Sequence, residues 1–210
     1  DSIIETFQKL FMNLKTNAKI IINNDNAGNL KLRGYDFITF GIDEAEYMAK
    51  NITFANGYST FDIYHNNEIL LENVKIIIPG EHNVYNTLAV VSALNEAGID
   101  VNKIKKHLAT FTGMGRRFQK MLDLGEIPVY DDYAHHPTEI KATLTAMKSF
   151  TDRNVVAVFQ PHRYSRLESL WNDFKDALKS ADRLIITDVY AASEDKIEGI
   201  NSEKFASEIN

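Results

Sequence analysis

Val155-Val156-Ala157-Val158-Phe159-Gln160-Pro161-His162-Arg163-Tyr164-Ser165-Arg166-Leu167 is the stretch on which the reading of the fold turns. Its first five residues are a short, unbroken apolar run, the pattern of a strand covered on both faces, as in a parallel sheet. A proline and a polar cluster end the run. Leu167, Leu170, Trp171, Phe174 and Leu178 then recur at intervals of three and four, the stripe of an amphipathic helix. Strand, polar loop and helix follow one another within a single segment.

The same alternation extends outward. Leu184–Val189 reads as another buried strand, and Ser202 is placed to cap a helix carrying Phe205 and Ile209 on one face. Upstream, a helix begins at Pro137, where the missing N–H of proline is harmless, with Ile140, Leu144 and Met147 as its apolar stripe. Before it, Phe118–Leu124 and Ile127–Tyr133 read as two strands joined at Gly125-Glu126. Strands and helices alternating in this way predict an α/β domain, a mainly parallel sheet flanked by helices.

The first half has a different texture. Ser2-Ile3-Ile4-Glu5 forms a capping box ahead of Ile3, Phe7, Leu10, Phe11 and Leu14 at helical spacing. Lys19–Asn23 reads as a buried strand and Asn24-Asp25-Asn26-Ala27-Gly28 as a turn. Phe37–Phe40, Ile52–Phe54, Ser59–Tyr64 and Val74–Ile78 are short runs broken by Asn-Gly and Asn-Asn turns, which predicts a hairpin-rich antiparallel sheet. A helix follows Pro79-Gly80-Glu81-His82-Asn83, with Val84, Leu88, Val91 and either Leu94 or Asn95 inward, and Gly98 ends it. A second helix spans roughly Val101–Ala109. Gly113 and Gly115 break the pattern, so the boundary is placed at Phe111–Gly115, giving domains of residues 1–112 and 113–210. The chain begins on a capping box without methionine and stops about two turns into a helix, and it reads as part of a longer polypeptide.

Composition narrows the function classes. With 29 acidic and 23 basic side chains among 210 residues the net charge is −6, which argues against a nucleic-acid binder but leaves room for a local basic pocket. No cysteine is present, so disulfides and thiolate metal sites are excluded, as suits a reducing compartment. No apolar run approaches the roughly 20 residues of a membrane span, and no signal-peptide pattern opens the chain. A cytoplasmic protein without a membrane role is expected.

Three polar clusters carry the chemistry: Asp131–Pro137, Gln160–Arg166 and Asp188–Glu194. Each directly follows a strand, and in open α/β sheets ligands bind beyond the carboxyl ends of strands, so the three should converge. Four of the six histidines (His82, His135, His136, His162) lie in motif-like loops. Each singly can be a helix cap, and His136, before Pro137, suits that role; the coincidence of three clusters at one sheet edge favours function. Arg163 and Arg166, three apart at a helix start, suit a carboxylate or phosphate, although Arg166 alone reads equally as a surface arginine. Arg116 and Arg117 follow Gly113-Met114-Gly115, a segment able to swing a guanidinium onto a nucleotide or to remain solvated. A zinc site of His135, His136, His162 and an aspartate is disfavoured, because adjacent histidines crowd one metal and nearby arginines repel it. No G-x-x-x-x-G-K-[ST] phosphate loop occurs.

Five motifs in order resemble the Mur ligase family, which builds the peptide of bacterial peptidoglycan. They are Pro79–Asn86, Gly113–Gln119, Asp131–Glu139, Phe159–Arg166 and Asp188–Ala192. The loops are most similar to the branch of the family that adds L-alanine to UDP-N-acetylmuramate. The resemblance implies the end of a central ATPase domain followed by most of a C-terminal Rossmann-like domain. It implies ATP and magnesium as cofactors, with the phosphate loop and magnesium ligands lying in segments of the polypeptide outside this chain, and a fragment inactive alone. His82, Asn83 and Asn86 would lie against the adenine, Arg117 would reach the nucleotide phosphates and Asp132 the ribose. Tyr133, His135, His162, Arg163 and Arg166 would face the muramyl carboxylate and the incoming alanine, with His135 and Arg163 catalytic. The implied reaction runs through an acyl phosphate that the amine attacks, and His135 is the choice of group to deprotonate or orient that amine. A related ligase that recycles murein peptides, or a non-catalytic binding module, are the competing readings.

Overall fold

The computed structural model describes residues 2–15, 17–29, 37–55, 57–125 and 127–209. They fall into two compact units, one of Asp1–Ile77 with Glu81–Phe111, the other of Ile78–Gly80 with Thr112–Asn210. Among the described residues, no helix is long and apolar enough to cross a membrane.

In the first unit, α1 (Ser2–Met12) precedes β1 (Ile20–Asn23), a 3-10 turn over Asn24–Asn29, and β2 (Phe37–Gly41). Then come β3 (Tyr47–Ala55), β4 (Tyr58–His65), β5 (Glu68–Ile76), α2 (Glu81–Glu96) and α3 (Val101–Leu108). The sheet order is β1-β2-β3-β4-β5. The hairpins β3–β4 and β4–β5 are antiparallel, as the Asn-Gly and Asn-Asn turns predict. Phe37–Phe40 departs from that expectation, because β2 runs parallel to both β1 and β3. Residues 42–46 step sideways instead of folding back, so β3 leaves in the direction in which β2 arrived and overlaps it only at Phe40–Tyr47 and Gly41–Met48. The sheet is therefore mixed.

Period-two alternation along β4 buries Ser59, Phe61 and Ile63, and α2 lays Val84, Leu88 and Val91 over that face. Between the two inward candidates at the end of α2, Leu94 is exposed and Asn95 faces in, donating to the Oη of fully buried Tyr47 at 2.7 Å. Tyr47 in turn donates to Glu96 at 2.8 Å, and Glu96 pairs with Lys19 at 2.7 Å. Burial pushes the Tyr47 phenol up to about 12 and keeps it a donor. Among the described side chains of the α1 stripe, Phe11 is buried, while Phe7 and Leu10 stay exposed. The Ser2 capping box falls where side chains lie outside the described residues.

In the second unit, β6 (Gln119–Leu124) and β7 (Ile127–Asp131) form an antiparallel hairpin. After α4 (Pro137–Phe150) come β8 (Val156–Phe159), α5 (Tyr164–Ser169), α6 (Trp171–Leu178), β9 (Arg183–Ile186) and α7 (Ser202–Ser207). β8 and β9 pair in parallel with Phe159 opposite Ile186, the βαβ core predicted for this half. Phe159 packs with Ile140 and Leu144 of α4, Phe174 and Leu178 of α6 and Phe205 of α7.

Three details differ from the expectation. The helix read through Leu167–Leu178 breaks at Leu170, whose φ of −118° and ψ of 24° leave the helical range. Asn201, not Ser202, caps α7: its side-chain oxygen accepts from the N–H of Lys204, while the Ser202 hydroxyl donates to Thr187 O. The strand expected to be covered on both faces is covered on one, since Phe159 is buried but Val158 is 67% and Ile185 54% exposed. The core helices pack on the Phe159 side, so alternate residues of an all-apolar run point away from them. An unbroken apolar run marks a strand without fixing how many faces are covered.

Candidate active site

The three clusters follow β7, β8 and β9, and the strands bring them together in the second unit. The parallel alignment of β8 and β9 continues past their ends as a bridge between His162 and Tyr190. There the Tyr190 N–H donates to Pro161 O and the Arg163 N–H donates to Tyr190 O, each at 2.8 Å. The first cluster joins through its rings. Tyr133 meets His135 edge-on at 5.1 Å, His135 lies 6.0 Å from His162, and His162 lies 5.3 Å from Tyr190. Four rings from three loops thus form one row, with Tyr133 and Tyr190 both substantially exposed.

Hydrogen-bond partners set the two central imidazoles in opposite tautomers. The Nδ1 of His135 lies 2.8 Å from Tyr133 O, and a carbonyl can only accept, so Nδ1 carries the proton and Nε2 keeps a lone pair. The Nδ1 of His162 lies 3.4 Å from an Arg166 Nη, and a guanidinium can only donate, so Nδ1 accepts and the neutral ring carries its proton on Nε2. Burial holds the His162 pKa below its ordinary value, with the charges of Arg166 and Arg163, and that of His135 when it is protonated, acting in the same direction. One ring therefore offers an acceptor and its neighbour a donor. His136 stands apart from this pair: its side chain caps α4 by accepting from Thr138 N, and Glu139 completes a capping box.

Carboxylates organise the loops. Glu139 accepts from the N–H groups of His135 at 3.0 Å and His136 at 3.2 Å, and lies 4.0 Å from Arg117. Burial raises its pKa, but those N–H donors and the His135 and Arg117 charges outweigh burial and leave it lowered. Asp132 accepts from Phe118 N at 2.7 Å and Ala134 N at 2.8 Å, clasping the glycine-arginine segment to its own loop. Within that segment Gly113 has a φ of +94°, and a side chain there would press on Ile78 at 3.3 Å. Arg116 lies 4.7 Å over the Tyr133 ring and 3.3 Å from Asp131, with the Arg117 guanidinium 5.9 Å from the same ring. Arg116, Arg117 and Arg163 are exposed and Arg166 is half-buried, so the row of rings is bordered by cations.

The sequence candidates of the first unit form a separate group. At the start of α2, Asn86 donates to Asn83 Oδ1 at 3.2 Å, and Asn83 Nδ2 lies 3.1 Å from His82 Nε2. Among the described residues, no group of three or more histidine or carboxylate side chains is placed to hold a metal ion.

Comparison with known proteins agrees with these motifs. Residues 1–94 match the Mur ligase middle domain and residues 116–210 the Mur ligase glutamate ligase domain. The chain belongs to the Mur ligase family. The UDP-N-acetylmuramate–L-alanine ligase of Caldicellulosiruptor bescii is 41% identical over 209 residues, covering 97% of this chain and 46% of that protein. The crystal structure of the UDP-N-acetylmuramate–alanine ligase of Thermotoga maritima is 33% identical, covers 73% of this chain and 34% of its own, and superposes with a TM-score of 0.65. A murein peptide ligase from Psychrobacter arcticus is 25% identical, covers 89% of this chain and 40% of its own, with a TM-score of 0.62. The chain spans about half the length of the curated relatives it matches.

Within this member of the Mur ligase family, the chemistry of Arg117 and Asp132 is compatible with a nucleotide. Exposed Arg117 suits phosphate, and each Asp132 oxygen, with one N–H accepted, keeps a lone pair for a ribose hydroxyl. Sequence reading did not single out Glu139, Tyr190 or Glu194. The first had a signal, three residues after a cap. Tyr190 and Glu194 lie inside the third polar cluster, but the residues they act on are nearly thirty positions away, so their individual contacts had no local signal.

Proposed function

We propose that the polypeptide containing this chain joins L-alanine to the carboxylate of UDP-N-acetylmuramate, with ATP supplying the activating phosphoryl group, in cytoplasmic peptidoglycan synthesis. Residues 1–112 belong to its central domain and 113–210 to its C-terminal domain. The observation that carries the reading is the His135–His162 pair, one acceptor and one donor, set in a border of arginines.

An amino acid arrives as an ammonium and must lose a proton before its nitrogen can attack. The Nε2 lone pair of His135 is placed to take it, and the Tyr133 carbonyl steadies the imidazolium that results. The Nε2–H of His162, with Arg163 and Arg166, donates to the substrate carboxylate and to the negative charge that gathers on oxygen as the amide forms. Tyr133 lines the same row of rings. His82, Asn83 and Asn86 face the adenine, Arg117 the phosphates and Asp132 the ribose. When bound, ATP makes the carboxylate reactive by phosphorylation, and magnesium is held by residues other than those of the three clusters.

The test uses the full-length polypeptide, with ADP release measured with UDP-N-acetylmuramate and either free L-alanine or a murein tripeptide. Strong turnover with L-alanine and little with the tripeptide is expected. The reverse preference would identify a murein peptide ligase, the second reading that the Psychrobacter arcticus similarity favours. The 210-residue chain alone, whose sequence has no phosphate loop, is expected to show no turnover.

A further inference from the structure

We propose that Glu194 is a positioning residue for Arg163: it caps the helix that Arg163 opens and so keeps that guanidinium directed at the anionic substrate. This rests on the ligase reading of the three loops.

Arg163 occupies the N-cap of α5, with φ 72°, ψ 133° and no side-chain capping bond. It is an ill-suited residue for that position. N-caps favour Ser, Thr, Asp or Asn, whose oxygens accept from the first free N–H groups, whereas a guanidinium has no acceptor. It also brings positive charge to the positive end of the helix. The missing acceptor comes from the loop after β9. Glu194 accepts the Ser165 N–H at 3.1 Å on one oxygen and the Ser165 hydroxyl at 2.7 Å on the other.

The reach of Glu194 is itself built. Ala192 and Ser193 have φ of 50° and 71°, and the Glu194 N–H donates to Ala191 O at 3.0 Å, a turn that directs the carboxylate back toward α5. With both oxygens engaged at Ser165, Glu194 lies only at ion-pair range from Arg163, 3.9 Å, and 49% of the Arg163 side chain remains exposed. The arrangement fixes the backbone that aims Arg163 without saturating its donors. The Ser165 donors and the Arg163 charge hold the Glu194 pKa below its ordinary value, which favours the ionised carboxylate.

The alternative is an ordinary helix cap with no bearing on the reaction, and kinetics on the full-length polypeptide separate the two. Glu194→Ala should lower kcat/KM by roughly 10–100-fold, the range for residues that orient functional groups. The loss should appear in kcat for ligation or in KM for UDP-N-acetylmuramate or L-alanine, with KM for ATP unchanged. Glu194→Gln, which keeps one acceptor oxygen, should recover part of the loss and serves as the test if the alanine variant does not fold. Combined with Arg163→Ala, Glu194→Ala should add almost nothing, because both act through one group. An additive double variant, or a drop in melting temperature with kcat and all KM values unchanged, overturns the proposal. If Arg163→Ala slows ligation and neither Glu194 variant does, the positioning role alone fails. If Arg163→Ala has no effect, the ligase reading of the loops fails with it.

Discussion

Both units of the chain bend their backbone into left-handed conformations, but they use different residues to do it. Among the described non-glycine residues of the first unit, positive φ occurs at Asn51, Asn66, Asn67 and Asn73, all asparagines. In the second unit it occurs at Arg116, Phe118, Arg163, Ala192 and Ser193. Asparagine visits this region readily because its short amide bonds to nearby backbone, and here it shapes a bulge, a hairpin turn and a second bulge. The second set has no such ease, and each member costs about 1–3 kcal/mol. Neighbours hold several of them in place: Phe118 by its N–H to Asp132, Arg163 by its N–H to Tyr190, and the Arg116 carbonyl by the Tyr133 N–H at 2.7 Å. All five stand in or beside the loops that carry the proposed chemistry. Left-handed backbone closes strands in one unit and aims side chains in the other.

The sharpest way to break this contrast is Arg163→Gly. Glycine relieves the backbone, so the melting temperature should hold or rise, while kcat/KM for ligation in the full-length polypeptide should fall by about 10²–10³, the loss expected for one anion-stabilising donor. A variant that loses stability and keeps its activity would make Arg163 a purely structural residue. Smaller effects should follow the residue types. Ala192→Gly should stabilise by up to about 1 kcal/mol and Asn66→Ala should destabilise by about 1 kcal/mol, whereas Asn66→Gly should change little. Denaturant titration of the three variants reads this directly, and equal gains from glycine at both positions would erase the distinction.

The smallest effect is in pH dependence. His162 has a lowered folded pKa, so the unfolded chain binds its proton first. Its contribution to stability is complete above about pH 6.5 and is lost as pH falls from there through the folded value. Glu96 in the first unit is also lowered, by its Lys19 and Tyr47 partners, but its contribution is lost only as pH falls below about 4.3. Between those limits the second unit alone should soften. An NMR titration of the His162 ring should show a midpoint below 6.5; a midpoint at or above 6.5 would contradict the environment described.

Much of the fold could be read locally. The Val84–Leu88–Val91 stripe, the Asn-Gly and Asn-Asn hairpins and the proline at the start of α4 are short-range signals, and each element appears where its signal lies. What could not be read depends on distant neighbours. The composition of β2 suits either strand direction, and a sidestep of the following loop made it parallel. The run at Val156–Phe159 is apolar throughout, yet packing covers only alternate residues. At the site, residue types announced histidine and arginine chemistry, but not which ring nitrogen bears the proton. That follows from Tyr133 O and Arg166, contacts that exist only after folding. Asp132, marked out by its motif, also clasps the Phe118 backbone, a task that the motif does not reveal.

On the proposed ligase reading, the second unit's loops activate the incoming amine rather than merely bind nucleotide. His135→Ala in the full-length polypeptide tests it most directly, with ligation rate and ATP affinity measured side by side. A rate loss of about 10²–10⁴ is expected, with ATP affinity changed less than about twofold. Equal losses in rate and ATP affinity would contradict it.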